Sequence, residues 1–256
     1  MTYIGNRAFG IEIARDKVGN FTNTRFWGHI QSFGPGRQDL NDFGDIQFLD
    51  PSAPELMSIV SDNANDTVLG TGCRQVFIRG LDINGDEVEE ILDMNGLTPV
   101  LTATAYQRLN VLFAFIAGSS ERNEGLITAT AATSLTIQRQ IHAGEGITQD
   151  GYYTVPNGVT MYAAAADFNV VHLGQFGMRP IVEVVLEVRS RGVREAAWIQ
   201  AITRELDTRA GSDIEVSFDY PAGGFPGLTD LKFYAVTESA DTQVNARFTG
   251  VEVVGG

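Results

Sequence analysis

Hydrophobic and polar positions alternate along much of this chain with a period of two, which is the pattern of a β-strand that buries one face. The clearest run is 181–191, where Val182, Val184, Leu186 and Val188 alternate with mostly charged residues. The pattern predicts an all-β chain.

The stretch 106–141 holds three alternating runs joined by short polar turns, which predicts a three-stranded meander. In its first run Leu109, Val111, Phe113 and Phe115 share one face, and we expect that face to lie in a core. The segment 194–206 contains good helix formers but also alternates, and we favour a strand because its neighbours are strands.

Turn signals divide the chain into domains. Asn84-Gly85 is a strong hairpin signal, and the glycines of 142–146 interrupt the strand pattern. We therefore predict two β-sandwich domains, 70–143 and 144–256, the second of them jelly-roll-like. Residues 1–69 look irregular and loop-rich, and we interpret them as an N-terminal arm that lies on a partner or on the chain's own domain.

Composition narrows the class of partner. The formal charge is −14 with a pI near 4.5, so a nucleic-acid-binding surface is not expected. No apolar run approaches the roughly 20 residues of a membrane helix, and no signal peptide is visible, so we expect no membrane partner. The single cysteine, Cys73, has no internal disulfide partner, so we expect the chain to mature in a reducing compartment or not to depend on oxidation.

Motifs for chemistry are sparse. The three histidines are scattered, and there is no phosphate loop, nucleophile elbow or metal-binding cysteine pair, so we expect no enzyme and no cofactor. The oxygen-rich loops 39–45 and 62–66 offer calcium-type ligands without the EF-hand spacing, and we assign no metal. Aromatic residues that would suit a sugar platform are more readily explained by core or interface packing; they are Trp27, Trp198, Tyr152, Tyr153, Tyr162 and Phe225.

The stretch GEGIT at 144–148 is followed by YYTVPNGVT at 152–160, and this pattern resembles one seen in virion structural proteins of tailed phages. Four more stretches resemble the same proteins: GLDINGDEVEE at 80–90, NGLTPV at 95–100, YQRLNVLFAFIAG at 106–118 and the end of the chain, 227–254. The resemblance covers about residues 70–254, and its motifs are structural rather than catalytic.

The resemblance implies a β-rich virion subunit. We expect a cement or decoration protein that binds the major capsid protein on the outer surface of a phage head, and that forms a closed homo-oligomer, a trimer first. The alternative is a fibre or spike module that binds a host-surface carbohydrate. Within the arm we expect four aromatic side chains to contact the partner: Phe26, Trp27, Phe33 and Phe43.

Overall fold

The computed structural model describes residues 20–41, 43–50, 52–172, 181–190, 197–207, 213–217, 224–238 and 241–255, with backbone alone for 32–33, 172, 207 and 213–217. Within these ranges the structure contains strands and no helix, which confirms the all-β prediction. The strands are β1 (Phe21–Phe33), β2 (Gly36–Asp39), β3 (Glu55–Ser61), β4 (Cys73–Leu81), β5 (Glu87–Asp93), β6 (Val100–Tyr106), β7 (Arg108–Ala117), β8 (Ile127–Ala131), β9 (Ile137–Ile141), β10 (Tyr152–Thr154), β11 (Val159–His172), β12 (Ile181–Ser190), β13 (Ile199–Asp207), β14 (Asp213–Ser217), β15 (Thr229–Thr237) and β16 (Thr242–Val254).

The strands fall into two compact units. One unit takes Met1–Leu40 and Gly151–Gly256, so far as these ranges are described, and we call it the discontinuous unit. The other takes Asn41–Asp150, and we call it the inserted unit. These units differ from the predicted boundaries after residues 69 and 143, because strands near the start of the chain pair with strands near its end.

The described part of the predicted N-terminal arm contains three strands, β1, β2 and β3. β1 runs antiparallel to β16 from Phe21, opposite Val253, to Phe33, opposite Thr242. Its inward side chains follow the period of two, since Thr24, Phe26 and Ile30 are all buried. Aromatic residues such as Phe21 and Trp27 lie on its other face, so the sequence of β1 shows no clean alternation of hydrophobic and polar positions.

Chain order and sheet order together identify the discontinuous unit as a jelly roll. β2 and β10 pair in succession with β15 and serve as one strand, so the unit has eight strands in its described part. One sheet has the order β1-β16-β11-β14, which is first, eighth, third and sixth along the unit. The other sheet has the order β2 with β10, then β15, β12 and β13. These are the second, seventh, fourth and fifth strands along the unit. This interleaving is the order of a jelly roll.

The inserted unit interrupts the second strand of the jelly roll. The Leu40 N–H donates to the Phe233 carbonyl at 2.9 Å, and the Phe233 N–H donates to the Gly151 carbonyl at 2.7 Å. Leu40 and Gly151 therefore share the place of one residue opposite Phe233. The packing there is close, since a Cβ on Gly28 would lie 2.7 Å from both the Leu40 Cβ and the Gly151 Cα.

The core of the jelly roll lies between its two sheets. Aliphatic residues of β12 and aromatic residues of the neighbouring strands fill it, including the predicted inward positions Val182, Val184 and Leu186. Phe26 lies among three other rings, with centroid distances of 5.8 Å to Tyr153, 5.4 Å to Phe233 and 5.2 Å to Phe248. Such aromatic contacts add to the stability that area burial gives.

The inserted unit is a second sandwich of two sheets, β6-β3-β8-β9 and β5-β4-β7. Its core takes Met57 and Ile59 from one sheet and Val76, Ile78 and Leu112 from the other, each with 0% exposure. The predicted strands of 106–141 are present as β7, β8 and β9, but β7 pairs with β4, so the three do not form one meander. The predicted turn at Asn84-Gly85 is confirmed, with Gly85 at φ +81°.

Candidate interaction surface

The outer face of the sheet β5-β4-β7 carries a cluster of aromatic rings. Phe77 and Phe113 lie opposite each other on β4 and β7 with ring centroids 5.0 Å apart, and Phe115 lies 6.4 Å from Phe77 and 6.2 Å from Phe113. Ile91 on β5 is the cross-strand neighbour of Phe77. Phe115 is 47% exposed and Ile91 48%, while Phe77 and Phe113 are half-buried. We call these four residues the aromatic face.

The alternation of β4 places these rings outside. Val76 and Ile78 point into the core with no exposure, so Phe77 between them points outward. β7 is irregular, because its pairing with β4 shifts register between Arg79, opposite Val111, and Gly80, opposite Leu109. Leu112 is buried and Phe115 is exposed, so the prediction that Phe113 and Phe115 face the core is wrong. A bulge of this kind re-aims side chains along the bulged strand.

Carboxylates border the aromatic face along β5. Glu87, Glu89 and Asp93 are exposed and lie on the same outer face of this edge strand as Ile91. We call these three carboxylates the acidic edge. Asp93 accepts a hydrogen bond from Gln75 Nε2 at 2.7 Å. Charged side chains on an edge strand also oppose unwanted pairing with another strand.

Buried hydrogen bonds hold the loops at one end of the inserted unit. Asp66 is fully buried, and its Oδ1 accepts the N–H groups of Cys73 at 2.6 Å and Glu124 at 2.9 Å. Its Oδ2 accepts the Ser61 hydroxyl at 2.6 Å and the Gly125 N–H at 2.9 Å. Burial, together with the Asp66 charge, raises the pKa of the Cys73 thiol to about 12, which leaves it unreactive.

These contacts give the oxygen-rich loop 62–66 a structural role. In the other such loop, Asp39 is ion-paired to Lys232 at 2.9 Å, and Asp42 lies outside the described residues. In the part of the chain that the structure describes, no group of three or more His, Cys, Asp or Glu side chains is placed to hold a metal ion.

Two arginines are among the largest fully buried side chains. They donate hydrogen bonds to backbone carbonyls near the first and the last residues of the inserted unit. Arg139 donates to the carbonyls of Leu109, Asn110 and Asp150, each at 2.9 Å. Arg108 donates to the Leu49 carbonyl at 2.7 Å. The planar guanidinium of Arg139 reaches three carbonyls at once, which the compact ammonium group of lysine could not match.

The outer face of the jelly-roll sheet that contains β15 carries a network of paired charged and polar side chains, and we call it the polar face. Asp230 is fully buried and accepts the Thr154 hydroxyl at 2.7 Å and Arg189 Nη2 at 2.8 Å. Lys232 Nζ lies 2.9 Å from Asp39 and 5.0 Å from the centre of the Trp198 ring. These groups satisfy one another within the fold.

The aromatic residues considered for a sugar platform do not form one in the described structure. Tyr152 and Tyr153 are buried at 2% and 1% exposure, and the Tyr153 hydroxyl donates to Glu252 at 2.6 Å. Trp198 is covered by cations, since the Arg189 guanidinium lies 4.5 Å from its ring centre. Core and intramolecular packing account for these three rings.

The four predicted contact residues do not form one surface. Phe26 belongs to the jelly-roll core at 5% exposure, so its prediction as a docking residue is wrong. Trp27, opposite Arg247, is half-buried on the outer face of β1, and Phe43 is half-buried in the inserted unit. Contacts by Trp27 and Phe43 stay predictions, and the side chain of Phe33 lies outside the described residues.

Sequence reasoning missed the aromatic face. Phe113 and Phe115 were predicted to face the core, and the register shift in β7 reverses that assignment. One signal was available: Phe77, Ile91 and Phe115 lie in strands where a second apolar series, such as Val76 and Ile78, already supplies the core.

Comparison with known proteins assigns no family to the chain. No family model and no curated protein matches it. Among solved structures, the Gx strain of infectious bursal disease virus is 11% identical with a TM-score of 0.25, covering 92% of this chain and 73% of that one. The T=1 particles derived from the same virus are 9% identical with a TM-score of 0.22, covering 93% and 70%. Scores this low carry no argument about function.

A search of the described residues finds no helix that is long and apolar enough to cross a membrane.

Proposed function

We propose that this chain is a non-enzymatic structural protein of a virus particle, and that the aromatic face of its inserted unit binds another subunit of that particle. The observation that carries the proposal is a cluster of exposed aromatic rings, bordered by charged residues, on the outer face of β5-β4-β7. Three phenyl rings in mutual contact lie on a solvent-facing sheet surface, with Phe115 at 47% exposure. Contiguous apolar patches bordered by charged residues mark interaction sites.

The fold supports this proposal without deciding it. Jelly rolls occur in viral capsid proteins, but also in lectins and cupins, so the function has to come from the site. Here the buried carboxylates of Asp66, Asp230 and Glu252 are engaged in hydrogen bonds that hold loops and strands. That use of polar groups suits a scaffold for binding rather than a catalytic centre.

The finer proposal is a cement or decoration protein on the outside of a tailed-phage head, in contact with the major capsid protein. The formal charge of −14 fits a position away from packaged DNA. Self-association into a closed oligomer is part of the proposal, because many weak contacts at high copy number then add through avidity.

Co-sedimentation with purified coat-protein shells tests the proposal. We expect stoichiometric binding at a ratio set by shell symmetry, and shells that resist heating better with the protein bound. A stable protein that does not sediment with shells would overturn the cement proposal. Saturable binding in a glycan screen by the same preparation would then favour the carbohydrate-binding fibre module.

A further inference from the structure

We propose that the aromatic face binds a protein surface whose apolar centre is bordered by Lys or Arg side chains, and that it does not bind a second copy of itself. This inference rests on the proposed function and specifies the chemistry of the partner at the same site. It follows from the charges around the four apolar side chains.

The border of the aromatic face is predominantly negative. Along β5, Glu87, Glu89 and Asp93 are exposed on either side of Ile91. The middle strand offers one cation on this face, Arg79, whose Nε lies 3.7 Å from Glu87 Oε2. Among the outward side chains of β4 and β5, three carboxylates lie beside one guanidinium, so this border of the rings is negative.

Docking on the rings would bring these carboxylates close to the partner. Ile91 is the direct cross-strand neighbour of Phe77, and Glu89 is the neighbour of Arg79 one row away. A carboxylate that loses water without gaining a cation or a hydrogen-bond donor is strongly unfavourable. Lysine or arginine side chains at the partner's border would supply both, and would also steer the encounter.

A second copy of this face is a poor match in either twofold arrangement. With the axis across the strands, β5 of one copy lies over β5 of the other, so that the acidic edges meet. With the axis along the strands, β5 lies over β7, so that carboxylates meet Val111, Phe113 and Phe115, which share the outer face. Isologous contacts allow only these two face-to-face alignments for parallel or antiparallel strands.

The charge of the whole chain acts in the same direction. At −14, two copies repel each other at long range, whereas a basic border attracts the chain. Because the acidic edges oppose a contact between two aromatic faces, the closed oligomer of the proposed function would use a different surface.

The test uses the full chain and purified coat-protein shells. The test variant is Glu87→Lys/Glu89→Lys/Asp93→Lys, and a matched control, Asp45→Lys/Glu121→Lys/Glu145→Lys, changes three exposed acidic residues elsewhere in the inserted unit. Both change the net charge equally. We expect the test variant to bind shells roughly tenfold to a hundredfold more weakly, and the control to change binding by less than about threefold. A third variant, Phe115→Thr, reports whether the face itself is used.

The outcomes separate this inference from the proposed function. Weak binding by both the acidic-edge variant and Phe115→Thr, with an unaffected control, supports the inference. Weak binding by Phe115→Thr with normal binding by the acidic-edge variant overturns the basic border and leaves the proposed function intact. Absence of shell binding by the unchanged chain overturns both. An oligomer that dissociates on Phe115→Thr in sedimentation velocity would show that the face binds a second copy, which contradicts the inference.

Discussion

Two outer sheet faces of this molecule use their side chains in opposite ways. On the jelly-roll sheet that contains β15, charged groups pair within the fold, as Arg189 does with Asp230 at 2.8 Å and Lys232 with Asp39 at 2.9 Å. On the sheet β5-β4-β7 of the inserted unit, three phenyl rings pack on one another at the surface.

The difference separates the tasks of the two faces. Removing a partner from the polar face would leave a charge buried and uncompensated, so that face contributes to folding. Removing a ring from the aromatic face takes away surface that water already reaches in the folded protein. The free energy of unfolding should therefore change little. We infer that stability depends on the first face and recognition on the second.

The largest change separates the two units altogether. Joining Leu40 to Tyr152 removes 41–151 and keeps Leu40 alone opposite Phe233, so the register from Asp39 opposite Tyr234 to Tyr152 opposite Lys232 is unbroken. We expect this chain and the separate fragment 41–150 each to unfold in one cooperative calorimetric transition, because each has its own core. A join of Leu40 to Gly151 adds one residue to the strand, and we expect a lower melting temperature for it.

Absence of a cooperative transition in either piece would contradict this division of the chain. The fragment 41–150 also carries the aromatic face, and we expect it to retain shell binding.

Asp230→Ala tests the polar face. It leaves Arg189 and the Thr154 hydroxyl without this carboxylate, and we expect the free energy of unfolding to fall by about 3 kcal/mol. The matched control is Asp167→Ala, which breaks the more exposed pair with Arg247 and costs less than about 1 kcal/mol. Urea unfolding measures both, and equal losses would refute the assigned role of burial.

Asp66→Asn tests the loop end of the inserted unit. An amide nitrogen would face donors that the carboxylate accepts, and we expect a loss of about 2–4 kcal/mol in urea unfolding. The control Asp62→Asn affects the Leu126 N–H bond and costs about 1 kcal/mol. Cys73 gives a second measurement, because its thiol should react with a thiol reagent faster in the Asp66 variant. An unchanged reaction rate would contradict the role of Asp66 in closing these loops.

Phe115→Thr tests the aromatic face alone. Threonine suits a strand, and the ring is 47% exposed, so we expect unfolding to change by less than about 1 kcal/mol. Shell binding should weaken by about tenfold, since a few buried aromatic side chains carry most of the binding free energy of an interface. A large loss of stability with unchanged binding would assign the ring to folding instead.

Glu55→Gln has the smallest expected effect. Burial alone would raise the pKa of Glu55, but hydrogen bonds from the N–H groups of Ser134 and Thr133 outweigh it, and the pKa lies below its ordinary 4.5. A lowered pKa contributes stability that is present above the unfolded pKa and is lost as pH falls through the folded one. We expect the Gln variant to lose less than about 1 kcal/mol at neutral pH, because this carboxylate is largely solvated, and to show a flatter decline in stability below about pH 4.5.

Local patterns predicted the strands, and non-local pairing decided how they assemble. The alternation of Val182, Val184 and Leu186 identified a core face correctly. The insertion was not visible, because its evidence is the pairing of β2 and β10 with one strand, β15, far along the chain. Periodicity within a segment contains no information about such pairing.

The site was missed for a similar reason. A register shift in β7 changes which of its residues face outward, and a shift of one residue moves every later side chain to the other face. Phe26 was chosen as an aromatic residue in a region that looked like a loop, yet the long pairing of β1 with β16 places it in the core.

The most direct test of the central claim is co-sedimentation of coat-protein shells with Phe113→Thr/Phe115→Thr, beside the unchanged chain and the control Leu101→Thr. Leu101 is 53% exposed on β6, in the other sheet of the inserted unit, so this control removes exposed apolar surface away from the aromatic face. The account predicts that the double variant stays folded but no longer sediments with the shells, while the unchanged chain and the control do. Equal binding by all three would contradict the assignment of recognition to the aromatic face.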